Sequence, residues 1–110
     1  MAWAGSCTIA HMDVLVTRED RRFVWDSEKA TSNLIKHSVT FDQALSVFFD
    51  PFHELIDASV PGESREAAIG LDLQFQMLIV VHIEVEDFAT RIISARRATA
   101  AERRAYEESE

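Results

Sequence analysis

RIISARRATAAERRAYE, residues 91–107, decides the fold, because it reads as a strand running directly into a capped helix. Ile92 and Ile93 point to opposite sides of that strand, so both of its faces are covered and it lies inside a sheet. Thr99-Ala100-Ala101-Glu102 has the form of a capping box, in which the Thr hydroxyl and the Glu carboxylate each satisfy a free backbone N–H, so the helix starts at Thr99. Arg96 and Arg97 sit at the junction, where free N–H groups and the positive end of the helix dipole favour an anion. A plainer role suits the same arginines, either paired with carboxylates or lying in solvent.

Upstream of this stretch come three extended segments, His53–Ser59, Arg65–Leu73 and Gln76–Glu86, divided by Pro61-Gly62 and by a turn near Gln74. Together with the Arg91 segment they predict an antiparallel meander of about four strands. In the third segment Met77, Ile79, Val81 and Ile83 make a wholly apolar face, expected to meet the helices. Leu78, Val80, His82 and Glu84 make a mixed face, expected to floor an open cleft. A hairpin at Glu86–Ala89 sets the register, and a slip of one residue exchanges which of Arg91/Arg97 or Arg96 lies beside His82.

Two helices precede the strands. Thr40-Phe41-Asp42-Gln43 is a second capping box, with Val39 and Ala44 placed as a hydrophobic staple, and Phe41, Leu45, Phe48 and Phe52 recur at helical spacing up to Pro51. Ser27–His37 is helical by propensity, with Ala30 and Leu34 on its buried side and Lys36 and His37 at the end that suits cations. Arg22–Asp26 reads as a short extra strand whose Asp26 caps that helix. The expected fold class is therefore α+β, with two N-terminal helices, the meander and one C-terminal helix, and with Phe41, Leu45, Phe48, Ile79, Val81 and Ile83 in the core.

A length of 110 residues with 47% apolar content makes one modest core and one domain. Residues 21–110 are read as that domain. Residues 1–20 are read as an N-terminal extension, either expression-derived or disordered, with Met12 a candidate start. A lone cysteine, Cys7, and the lack of Cys/His clusters argue for a reducing cytoplasm and against a metal or other cofactor. The longest apolar run, Met77–Ile83, is too short to span a bilayer, so no membrane role is expected.

The net charge of −8 is unevenly spread. Residues 42–88 hold ten acids and only Arg65, whereas 89–106 hold five arginines and Glu102. Positive charge is thus concentrated near the C-terminal strand and helix, and the acidic middle is a candidate docking face for a basic partner. His82 would be a titratable group on a rigid strand, though a lone strand histidine also serves as a packed structural residue. His37 has a similar choice, between catalyst and helix-capping cation.

Taken in order, FVWDSEKATSNLIKH, VTFDQALSVFFDP, ESREAAIG and RIISARRATAAERRAYE resemble the BrnT family of type II toxins. The resemblance covers about Phe23–Glu108. It implies a RelE-like, microbial-RNase-like fold, a cytoplasmic metal-independent endoribonuclease that blocks translation, and neutralisation by a BrnA-like ribbon-helix-helix antitoxin, with DNA touched only through that antitoxin. Two departures accompany it. Ile83-Glu84-Val85 stands where the family commonly has Thr-x-Arg, and Glu66-Ala67 follows Arg65 where an aromatic residue is common.

RNA cleavage without a metal needs a 2′-hydroxyl deprotonated, a pentavalent phosphate stabilised and a leaving oxygen protonated. Arg65, Arg91, Arg96 and Arg97 are the candidates for the phosphate, His82 leads as acid or base, and Glu84 or Glu66 is the alternative base. Lys36 and His37 rank second as RNA contacts, together with Glu84. The competing reading is a catalytically weak or inactive relative that binds the antitoxin and helps to repress an operator.

Overall fold

The computed structural model describes residues 12–85 and 89–108. Its strands are β1 (Asp13–Arg18), β2 (Arg21–Asp26), β3 (Glu54–Asp57), β4 (Glu66–Leu71), β5 (Met77–Val85) and β6 (Ala89–Arg97). Its helices are α1 (Ser27–His37), α2 (Phe41–Leu45), which tightens into a 3-10 turn over Ser46–Phe49, and α3 (Ala100–Glu108). One sheet holds the six strands in the order β1-β2-β6-β5-β4-β3.

The α+β class agrees with the sequence reading, but the sheet differs from a four-stranded antiparallel meander. It is mixed, because β2 runs parallel to β6 through Phe23↔Thr90 and Val24↔Arg91 while the other neighbours are antiparallel. The stretch 13–18, assigned from sequence to the extension, is the edge strand β1, and Val14 and Val16 pack against the core. With a neighbour on each side, β2 is an interior strand, which suits its unbroken Phe23-Val24-Trp25 run. Residues 1–11, and residues 86–88 in the expected register-setting hairpin, lie outside the described residues.

Local chemistry explains the helix starts. Asp26 caps α1 by accepting from the N–H groups of Glu28 and Lys29. Both capping boxes are present: Thr40 and Gln43 bond reciprocally, as do Thr99 and Glu102. The 3-10 turn can press onto β4 because Gly70 has no side chain there; a Cβ would lie 2.9 Å from the His53 Cβ and 3.0 Å from an Asp50 carboxylate oxygen. That carboxylate also accepts from the N–H of Leu71, which fixes the approach.

Three expectations about which side chains face the core are reversed. On β5 it is the mixed face that meets α2: Leu78 and Val80 belong to the core cluster of Phe23, Trp25, Phe41, Leu45, Phe48 and Ile92, and His82 lies at its rim. Ile79 is buried on the other face, with Val81 and Ile83 half-buried beside it. Counting apolar residues misassigned the faces because both are covered; α3 starts from the Ile79 side, where Arg96 opposite Ile79 grips Glu102. Leu34 is 48% exposed, and Asn33 is the residue α1 buries. Phe52 is 64% exposed as well, since the helix stops before it.

Asn33 is buried because β6 needs it. β2 accompanies β6 only as far as Arg91, leaving the strand beyond with no neighbour on that side. The Asn33 amide fills the gap: its Oδ1 accepts from the Ala95 N–H at 3.0 Å and its Nδ2 donates to the Ala95 carbonyl at 2.8 Å and to that of Val39 at 3.0 Å. Just before this point β6 carries a bulge: Val81 pairs with Ser94 but His82 pairs with Ile92, leaving Ile93 as an extra residue.

Candidate functional site

Sheet register brings a polar row to one end of the helix-side face. Asp57, Glu66 and His82 lie directly opposite one another across β3, β4 and β5, and Glu84 pairs with Thr90 one step further on. Arg21, at the start of β2, projects to the same place. Its Nη2 donates to the Thr90 hydroxyl at 3.2 Å and lies 3.7 Å from a Glu84 oxygen, while its guanidinium sits 4.6 Å from the centre of the Phe48 ring. Thr90 in turn donates its hydroxyl toward both Glu84 oxygens, each at 3.1 Å.

His82 is 1% exposed, with its ring edge-on to Phe48 at 4.8 Å between centroids. Its Nδ1 is 3.1 Å from the Val80 carbonyl, and since a carbonyl only accepts, Nδ1 carries the hydrogen. That leaves Nε2 facing the carboxylates, 3.6 Å from Glu66 and 3.9 Å from Glu84. The histidine is thus sealed behind two half-exposed carboxylates. A ligand at this end of the sheet meets Glu66 and Glu84 before it meets the ring.

The carboxylates open into a groove of about 450 Å³ lined by Leu55, Asp57, Arg65, Glu66, Ile83 and Glu84, among others. Hydrogen bonds from the Ser59 side chain and backbone hold the Asp57 carboxyl below its usual value. Arg65 is half-buried and donates to Glu63 at 2.6 Å. Acids therefore outnumber bases in the groove. No group of three or more His, Cys, Asp or Glu side chains among the described residues is arranged to hold a metal ion.

Of the residues expected to act together, the structure joins His82, Glu66 and Glu84 and sets Arg65 in the adjoining groove. The other arginines are elsewhere. The bulge at Ile93 turns Arg91 to the opposite face, opposite Ile83, where it makes a two-pronged pair with Asp13 at 3.3 and 3.2 Å. Arg96 is on that face too, bonded through both terminal nitrogens to Glu102 at 2.8 Å. This pair holds the Glu102 carboxyl down at about 2 and raises Arg96 further. Arg97 shares the face of His82 but sits opposite Leu78, four residues along β5. Lys36 and His37 are exposed at the end of α1, in a shallow hollow with Ile93 and Ser94.

Sequence reasoning did not single out Arg21 or Thr90. Both enter the cluster through the parallel β2–β6 pairing, which joins residues about seventy apart in the chain and leaves no local pattern. A weak signal existed: with Phe23 and Trp25 inward, strand alternation sends Arg21 inward as well.

Among the described residues no helix is long and apolar enough to cross a membrane. The family model for the ribonuclease toxin BrnT of type II toxin–antitoxin systems matches residues 25–102. A comparison with curated proteins gave no match.

Proposed function

The chain belongs to the BrnT family of ribonuclease toxins of type II toxin–antitoxin systems, and from that premise we propose that it cleaves RNA at the Glu66, His82 and Glu84 end of the sheet. Cleavage is independent of metal and blocks translation, and a BrnA-like ribbon-helix-helix antitoxin neutralises it in the cytoplasm, with DNA bound only through that antitoxin. The observation that carries this reading is the family match over residues 25–102. Geometry supports the location.

Glu66 is the general base of this proposal. Glu84 is oriented by Thr90 and Arg21, whereas Glu66 has His82 beside it and open groove in front. His82 is a positioning residue, since its buried Nε2 faces both carboxylates and does not reach the groove. Arg65 and Arg21 supply positive charge to the phosphate, Arg65 by exchanging Glu63 for the ligand. Arg91, Arg96 and Arg97 have no part in this centre.

The competing reading, an inactive module that binds the antitoxin for operator control, draws support from the same pairs. Arg65, Arg91 and Arg96 each already hold a carboxylate. An RNA-cleavage assay on purified protein separates the two. Activity that falls at least tenfold in Glu66→Gln and in Arg65→Ala, with unfolding unchanged, is the expected result. No cleavage by the parent chain that nevertheless binds an antitoxin would establish the module instead.

A further inference from the structure

The sheet ends on β3, and among the described residues no strand accompanies the outer side of it. Open edges usually carry a charge, a proline or a bulge that discourages pairing. β3 is short and carries Glu54 and Asp57 at its ends, but it places Leu55 and Ile56 at its middle, 52% and 47% exposed and on opposite faces, with Phe52 and Val60 exposed at either end. Such a strand is an acceptor for another strand.

Its charge defines what kind. Asp57, Glu66 and Glu84 line the groove beside it, and Arg65, which lines the same groove, is bound to Glu63. Asp57 and Glu66 stand directly opposite each other on β3 and β4, and no Lys or Arg among the described residues pairs with either. Like charges opposed in this way destabilise a sheet until a cation comes between them. This edge lacks a strand and the Asp57–Glu66 pair lacks a cation, and one ligand supplies both.

We infer that β3 receives an extended segment of the antitoxin in which apolar residues alternate with Lys or Arg, adding a strand beside Glu54–Asp57 and setting a cationic side chain among Asp57, Glu66 and Glu84. This rests on the reading of the chain as a toxin. A strand in that position covers the mouth of the groove in front of Glu66, so the partner neutralises by occlusion.

A synthetic peptide alternating Arg and Val tests the inference, with a Glu/Val peptide as control and amide hydrogen exchange as the readout. The Arg/Val peptide is expected to slow exchange at residues 54–57, and the control peptide to leave it unchanged. Asp57→Lys and, separately, Leu55→Lys should each weaken binding at least tenfold while melting no lower than the parent. Unchanged exchange at 54–57, or protection only elsewhere, would overturn the docking site, as would parent-like affinity in both variants. RNA cleavage is scored independently. A chain that cleaves RNA but leaves β3 unprotected loses only the docking site, and one that binds at β3 but cleaves nothing loses only the ribonuclease reading.

Discussion

Replacing Asn33 with Leu keeps the side-chain size but leaves the Ala95 N–H and C=O and the Val39 C=O without their partner, so urea unfolding should show a loss of about 3 kcal/mol. A near-neutral result would mean that water or β2 takes over that edge. Glu102 makes a pH-dependent prediction. Its carboxyl is pulled from 4.5 to about 2, chiefly by Arg96 and then by the Thr99 N–H. A depressed carboxylate contributes fully above its unfolded value and loses that contribution as pH falls toward the folded one. Glu102→Gln should therefore melt below the parent at neutral pH, with the gap narrowing below pH 4.5 and closing only near about pH 2; a gap constant with pH would deny the Arg96 pair its role. Both residues show the reach of sequence reading at this scale. Glu102 was legible because a capping box is a local pattern. Asn33 was not, because its need arises from where another strand stops.

At the scale of elements, Phe48 shows how the 3-10 turn joins core and site. Its ring meets Phe23, the edge of His82 and the guanidinium of Arg21. Phe48→Ala should cost about 3 kcal/mol or more in unfolding free energy. It should also loosen the polar row, so cleavage should fall more than stability alone explains, measured well below the melting temperature. Loss of stability with cleavage intact would separate the turn from the site. The helix starts, the turn at Gln74 and the strands from β3 onward follow from caps, turn residues and alternation, all short-range signals. Which face of β5 met the helices did not, since apolar residues occupy both faces and His82 disguised the inner one as a cleft. β1 was missed for a related reason: it is an edge strand whose hydrogen-bonded neighbour is β2 alone, and its apolar residues alternate with exposed ones.

For the molecule as a whole, charge separation predicts kinetics. Residues 42–88 carry ten acids against Arg65, so association with a basic antitoxin should slow roughly tenfold between about 0.05 and 0.5 M salt. An association rate indifferent to salt would remove the acidic region from recognition. The arginine-rich C-terminal segment was readable as a concentration of charge but not as a site, because sheet register distributes its members over two faces. That distribution turns on Ile93. A strand sorts its side chains by parity, odd numbers to one side and even to the other, and one supernumerary residue reverses the sorting for everything beyond it. Arg91 and Arg96 thus share a face although one number is odd and the other odd plus five. In such a strand a deletion is not simply damage: losing Ile93 would restore regular alternation and leave Arg91 opposite Ile83 and Thr90 opposite Glu84, whereas keeping every residue but straightening the bulge would carry Arg91 to the face of His82, beside Glu84.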